Sequence, residues 1–514
     1  MRVKIISPAR KAEWGEVFWG FESLTRNKLK ERGAFLAPLA LPTLAALTPP
    51  GVDVALTDEN VEPIDFNEEV DLVGISFMTF LAPRAYEIAD EMRSRGVKVV
   101  LGGIHASMLP EEALQHADSV VIGEAEETWP LVVQDFAAGR LQTIYRASGF
   151  PDLQSSPIPR WGLLKCNRYW LHTMQVGRGC PYNCDFCSVT AFNGKKYRYK
   201  PLERVAREVE TLLEIDRHKT ILFADDNLLS IPAYSKELLR LLKPYRIRWW
   251  CQASLNRLKD DEILELMRDS GCEAIFVGFE SVAQATLNSM NKGGVNKADE
   301  YIEIVKRVNL HRIMVAGSFI LGNDADGEEI FQDTVDFVQN ARLSLAMINI
   351  LTPAPGTALF ERLEREGRIL HKDWWKYNGE SICFRPKMDP KALEQGHNQI
   401  LQEIYSYKVL YQRLGEVLAY GGVLSHWPSK RRMFLPMLIA LLSKDIDRTW
   451  FVLKSLWKGR GASLGPLVIG IYLHEYARRC CKGNRPEERR AKGLAKESKR
   501  LKHLHKGLGS ESHQ

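Results

Sequence analysis

The sequence has no hydrophobic run long enough to cross a membrane. Its most apolar stretches, residues 433–442 and 464–473, are about ten residues each, half of what a bilayer span requires. Both read as buried helices, with an interfacial surface as the minority alternative. The chain opens Met1-Arg2-Val3-Lys4-Ile5-Ile6, a first strand rather than an apolar leader with a small-residue cleavage site. Cysteine is sparse: nine among 514 residues, an odd number, and none before Cys166. That excludes a disulfide scaffold and places the expectation in a reducing, cytoplasmic setting. Internal repeats and low-complexity tracts are also lacking. What remains, 45% hydrophobic and 26% charged, is the composition of a multidomain globular protein.

The net charge of +6 is unevenly placed, because residues 478–506 carry twelve Lys or Arg against three Glu. The rest of the chain is therefore slightly acidic. A basic end of this kind is a solvated, poorly ordered tail by default. Its alternatives are nucleic acid, which nothing else supports, and peripheral contact with an anionic membrane.

Residues 1–150 alternate short apolar runs with helical patterns. Strands are expected at 3–7, 52–57, 71–77, 97–101 and 119–122, with helices at 39–47 and 82–95. Strands separated by helices predict an α/β, doubly wound parallel sheet, which binds ligands beyond its carboxyl strand ends. The turns at 76–79, 102–105 and 123–126 lie at those ends. A Pro-containing connector at 150–159 leads to a second series over 165–385. Its strands are expected at 174–176, 220–224, 246–253, 274–278, 313–321 and 346–351. Six βα units predict a partial (β/α)6 barrel with its chemistry at the C-terminal strand ends. A helical C-terminal domain follows over 390–477, and then the basic tail over 478–514.

One motif carries chemistry directly. Gly177-Arg178-Gly179-Cys180-Pro181-Tyr182-Asn183-Cys184-Asp185-Phe186-Cys187 sets three thiols at C-x3-C-x2-C in a loop after a strand. A closed structural zinc site wants four ligands, and no histidine stands nearby to complete one. A [4Fe–4S] cubane held by three cysteines keeps one iron open. The incomplete ligand set is the informative feature.

This motif, with Phe186 before the last cysteine, resembles that of the radical S-adenosylmethionine (SAM) superfamily. The resemblance implies that Cys180, Cys184 and Cys187 hold a [4Fe–4S] cluster whose open iron chelates SAM. Electron transfer would then release a 5′-deoxyadenosyl radical. It also implies SAM contacts from Phe186, from Asp225 and Asp226 where the family has Gly-Gly-Glu, and from Gln252, Glu280 and Gly317. At Gly317 the absent side chain would admit adenine against the backbone.

The phrases at 37–47 (APLALPTLAAL), 71–79 (DLVGISFMT), 99–114 (VVLGGIHASMLPEEAL) and 117–129 (ADSVVIGEAEETW) resemble the cobalamin-dependent, class B members. Cobalamin contacts are implied for Ser76, Met78, Thr79, Gly102, Gly103, His105, Gly123 and Glu124. The D-x-H-x-x-G motif that supplies a cobalt-ligating histidine is missing, so His105 is the remaining histidine candidate. The implied activity is methylation of an unactivated carbon with methylcobalamin. The alternatives are a cobalamin-dependent cyclase or rearrangement enzyme and a non-catalytic Fe–S or cobalamin sensor. A methylthiotransferase would need further cysteines before residue 165, and there are none. The expected partners are a small-molecule or lipid-like substrate and an electron donor such as flavodoxin or ferredoxin. Trp249, Trp250, Trp374 and Trp375 are candidates for an apolar pocket or for plain core. No residue is assigned a catalytic role from sequence.

Overall fold

The computed structural model describes residues 1–10 and 34–419, together with His474 and Ala477. Fifteen strands in this part of the chain form two parallel sheets and a short ribbon.

The first sheet contains β1 (Arg2–Ser7), β3 (Asp53–Asp58), β4 (Leu72–Ser76), β5 (Lys98–Gly102), β6 (Ser119–Ile122) and β7 (Ile144–Arg146). Their spatial order is β3-β1-β4-β5-β6-β7, and every pairing is parallel. The central strands are near-continuous apolar runs because both faces are covered. Helices Ala40–Leu47 and Thr128–Ala137 cover one face. Helix Ala82–Ser94 covers the other, joined by Trp374 and Tyr377 from a late strap of chain.

The second sheet is a partial barrel of β8 (Tyr169–Met174), β11 (Ile221–Phe223), β12 (Trp249–Gln252), β13 (Cys272–Glu280), β14 (Met314–Leu321) and β15 (Leu345–Ile350). These six strands run parallel in consecutive order, with β2 (Ala34–Leu36) added beyond β8. Sequence reasoning had not expected β2. Three residues are too short to show an alternation. It carries the chain from the first sheet into the edge of the second. The first barrel strand also starts earlier than expected and ends at Met174, just before the cysteine loop. That loop is closed at its base by an antiparallel ribbon of β9 (Gly177–Arg178) and β10 (Arg198–Tyr199).

Helices Pro390–Ile404 and Tyr407–Ala419 begin the region expected to be helical. The first lies on the outside of the barrel, where Gly396 allows the Phe331 ring a close approach. Arg413 is fully buried there and donates to the carbonyls of Leu343 and Ile404. His474 stacks on Tyr407 at 3.8 Å. The apolar runs at 433–442 and 464–473 and the basic tail lie outside the described residues. Among the described residues no helix is long and apolar enough to cross a membrane.

Candidate active site

The cysteine loop leaves the C-terminal end of β8 and is held from three directions. Asp225, fully buried at the end of β11, accepts from the backbone N–H groups of Val176 and Gly177 and from the Tyr197 hydroxyl. Asp226 accepts from the Gly179 N–H and the Asn193 amide. On the far side, the Asp185 N–H donates to the Met290 carbonyl and the Asn291 amide donates to the Asn183 carbonyl. Gly179 is required by geometry. Its φ is +91°, and a Cβ there would lie 2.5 Å from the Lys196 carbonyl oxygen.

The thiols of Cys180, Cys184 and Cys187 are part-buried and form no disulfide. Burial pushes all three up, Cys184 to about 11. Among the described residues no three His, Cys, Asp or Glu side chains converge on a single-ion site. A cubane spreads its thiolates over separate irons, so the donor set fits a cluster rather than one ion. Binding iron displaces the thiol protons and offsets the cost of burying thiolates.

Beside the thiols stands Lys292, which sequence reasoning missed. It makes an ion pair with Glu280, and its ammonium lies 5.9 Å from the Phe186 ring centroid. Burial opposes its charge, but Glu280 and the thiols of Cys184 and Cys187 outweigh this and hold its pKa above the usual lysine value. Glu280 has φ +65°, at a register shift in the β13–β14 pairing. Backbone strain of this kind, about 1–3 kcal/mol, persists where the surroundings fix it.

A cavity of about 510 Å³ opens at the carboxyl end of the barrel. Three expected SAM residues, Phe186, Gln252 and Glu280, line it together, and β2 contributes Leu36. Two others do not fit the expectation. Both oxygens of Asp225 are spent on the loop, so it positions the cysteines from below rather than facing the cavity. Gly317 is turned away as well: Ser318 and Ile320 line the cavity, and strand alternation sends position 317 to the outer face. A Cβ at Gly317 would meet Phe279 and Leu343, so this glycine makes room for core packing. The four tryptophans are all buried and line no part of the cavity.

The glycine turns of the first sheet share its carboxyl edge. Gly103 has φ +93°, and a Cβ there would lie 2.6 Å from the Phe77 carbonyl oxygen, so only glycine lets the 76–77 and 102–103 turns touch. Ser107 links the outer turns, donating to the Gly103 carbonyl and accepting from the Gly123 N–H. Ser76 borders Gly103, Gly102 ends β5, and Thr79 starts a short helical turn. Met78 is 51% exposed at the same edge and offers an apolar side chain to a flat macrocycle.

His105 is fully buried among Phe77, Tyr86 and Trp374 and contacts Glu112 at 3.3 Å. It is sealed inside the domain and is not placed to ligate cobalt. Glu124 also departs from expectation. It is buried against Arg178 at 2.5 Å and pairs with Arg198, so its carboxylate points toward the base of the cysteine loop. The edge thus fits a cobalamin held by backbone turns and an apolar face, without a histidine.

A doubly wound sheet set over a partial barrel with a three-cysteine loop defines a class of two-cofactor enzymes. Residues 29–133 match the B12 binding domain, 174–338 the radical SAM superfamily, and 357–458 a domain of unknown function, DUF4070. The chain is 33% identical over 399 residues to bacteriochlorophyllide d C-12(1)-methyltransferase of Chlorobaculum tepidum, covering 76% of this chain and 87% of that one. It is 30% identical to hopanoid C-2 methylase of Rhodopseudomonas palustris, covering 73% and 76%. Identity falls to 26% with the anaerobic magnesium-protoporphyrin IX monomethyl ester cyclase of Cereibacter sphaeroides, covering 77% and 67%. The fold is shared with the radical SAM methyltransferase TsrM from Kitasatospora setae, solved with cobalamin and a [4Fe–4S] cluster. There the TM-score is 0.61 at 16% identity, covering 90% of this chain and 99% of that one. The chain belongs to the cobalamin-dependent radical SAM enzymes, and its cofactors are a [4Fe–4S] cluster, SAM and cobalamin. Within that family it groups with the methyltransferases.

Proposed function

We propose that the protein methylates an unactivated carbon of an apolar, polycyclic or lipid-like small molecule held between the barrel mouth and the first sheet. The observation that carries this is the cavity at the carboxyl end of the barrel. Apolar side chains, among them Leu36, Leu222, Phe276, Ile320, Met347 and Leu351, make most of its wall, while its polar side chains, Gln252, Glu280, Ser318, Asn349 and Thr352, are fewer. Such a wall binds apolar surface and uses isolated polar groups to fix orientation. The methyltransferases of bacteriochlorophyllide and hopanoid support the same substrate class.

Cys180, Cys184 and Cys187 would hold the cluster, and three cysteine ligands would leave one iron open to SAM. When bound, the cluster supplies the electron that cleaves SAM, and cobalamin supplies the methyl group. The chain's own residues orient and enclose. Phe186, within the cluster loop, lines the cavity, Gln252 and Glu280 offer hydrogen bonds to SAM, and Asp226 holds the loop backbone at Gly179. Lys292 compensates the negative charge gathered by thiolates and cluster. The apolar wall excludes water and would confine the substrate carbon close to bound SAM. Reduction comes from a small electron carrier, and a lipid-like substrate is met at a membrane surface.

The test is anaerobic reconstitution with cluster and cobalamin, then incubation with methyl-labelled SAM and an apolar extract of the source cells. Label in an organic-soluble product is expected. Cleavage of SAM with a changed but unlabelled product would overturn methyl transfer in favour of cyclisation or rearrangement. Absence of any cleavage by the reduced protein would favour a sensor.

A further inference from the structure

Four charged side chains meet where the first sheet touches the cysteine loop. Arg178 and Arg198 are direct partners across the antiparallel ribbon that closes the loop. Glu124, from the turn after β6, pairs with both of them, and Glu126 adds a second contact to Arg178 at 2.7 Å. The side chain of Glu124 is 2% exposed, and those of both arginines are below one-sixth exposed. The quartet is neutral overall but buried, and burying charges carries a desolvation cost that pairing must offset. An apolar contact would hold two domains together as well. A buried ion cluster adds a narrow choice of geometry, because guanidinium forks accept a carboxylate in few orientations.

The contacts of Arg198 show what that geometry controls. Besides Glu124, it donates to the carbonyls of Pro151 and Asn193 and stacks on the Phe150 ring. The Gly194 carbonyl next to Asn193 accepts from the Cys180 N–H, and Asn193 also donates to Asp226. On the other arm, Arg178 is two residues from Cys180 and donates to Gln175. Glu124 itself directly follows Gly123, one of the glycines at the sheet edge. A continuous set of polar contacts therefore runs from the cobalamin edge, through one carboxylate, to the first cluster cysteine.

We propose that Glu124, with Glu126, acts as a positioning clamp that sets the separation of cobalt from the cluster through Arg178 and Arg198. Glu124 is a positioning residue in this assignment, not a cobalamin contact. The inference rests on the two-cofactor reading above. Methyl transfer and SAM cleavage serve one carbon atom, so their centres must keep a fixed spacing, and misplacement by about 1 Å can cost two orders of magnitude in rate.

The test needs no substrate. Wild type, Glu124→Gln and Glu126→Gln are reconstituted anaerobically as holoenzymes, and iron, sulfide and corrinoid are quantified. Pulsed electron paramagnetic resonance then measures the dipolar coupling between cob(II)alamin and the reduced cluster. The clamp predicts wild-type cofactor content with a longer and broader distance distribution in Glu124→Gln, and a smaller shift of the same sign in Glu126→Gln. An unchanged distribution in loaded variants would overturn it, and so would corrinoid loss confined to Glu124→Gln, which would make Glu124 a cobalamin contact. If Glu124→Gln does not fold, the Glu126→Gln distribution decides alone. A wild type that takes up no corrinoid would overturn the functional reading and this inference with it. Normal loading of wild type isolates the clamp.

Discussion

Lys292 and Glu280 form a buried ion pair against Gly278, at the end of β13 and beside the thiols of Cys184 and Cys187. The pair sits where a cubane would add negative charge on reduction, so the ammonium stabilises the reduced state of a bound cluster. Glu280 in turn keeps the lysine charged in a site that burial would otherwise neutralise.

Replacing Lys292 by methionine keeps the stem volume and removes the charge. Glu280 is then left buried without its partner, a change that costs about 3–5 kcal/mol in comparable pairs. The melting temperature is expected to fall, and the cluster's midpoint potential to become more negative in a titration followed by electron paramagnetic resonance. Lys292→Arg should recover most of the potential. A midpoint unchanged in Lys292→Met would remove the electrostatic role.

Gly179 tests the loop itself. An alanine there carries a Cβ into the Lys196 carbonyl and must hold φ near +91°, which costs about 1–3 kcal/mol in strain alone. Gly179→Ala is expected to bind well under half the wild-type iron and sulfide while retaining the wild-type circular dichroism. Full iron content in this variant would show that the loop is more tolerant than its backbone contacts imply.

Asp58 gives a pH dependence far from the cluster. It lies in β3, accepts from the Tyr169 hydroxyl at 3.0 Å across the two sheets, and is pushed up to about 6, chiefly by burial. Its folded value exceeds the unfolded one, so the native state binds the proton more tightly between about pH 4 and 6. That contribution is complete below pH 4 and is lost as pH rises through 6, roughly 3 kcal/mol by linkage. Asp58→Asn keeps hydrogen bonding to Tyr169 and Asn60 and removes the titration. Thermal melts should match wild type near pH 4 and exceed it increasingly up to pH 7. A constant offset across this range would contradict the assignment.

The legible part of the sequence was local. The cysteine spacing, Phe186 and the strand–helix alternation lie within short windows, and both sheets follow from them. Strand parity was harder: the family resemblance offered Gly317 for adenine, while Ser318 and Ile320 are the β14 residues that line the cavity. Glu124 sits in a glycine turn that reads as a ligand loop, yet its partners are 54 and 74 residues away. Such pairings leave no periodic trace. Lys292 was missed for the same reason, and β2 because three residues carry no pattern.

His105 is the remaining point on which sequence and structure part, and it decides how cobalt is held. Its ring is sealed by Phe77, Tyr86 and Trp374, and one nitrogen contacts Glu112, which also accepts from Tyr86 and Trp374. Freeing that ring to reach cobalt would open the core of the first domain and remove one of the three side chains that now contact the Glu112 carboxylate. Cob(II)alamin bound to the wild type should therefore show no superhyperfine splitting from a histidine nitrogen. His105→Gln retains a hydrogen-bonding group toward Glu112 and should leave both the spectrum and the corrinoid content unchanged, with a loss of about 1–3 kcal/mol in stability from imperfect packing. Nitrogen splitting in wild type that disappears in His105→Gln would show that the histidine leaves its buried site to bind cobalt.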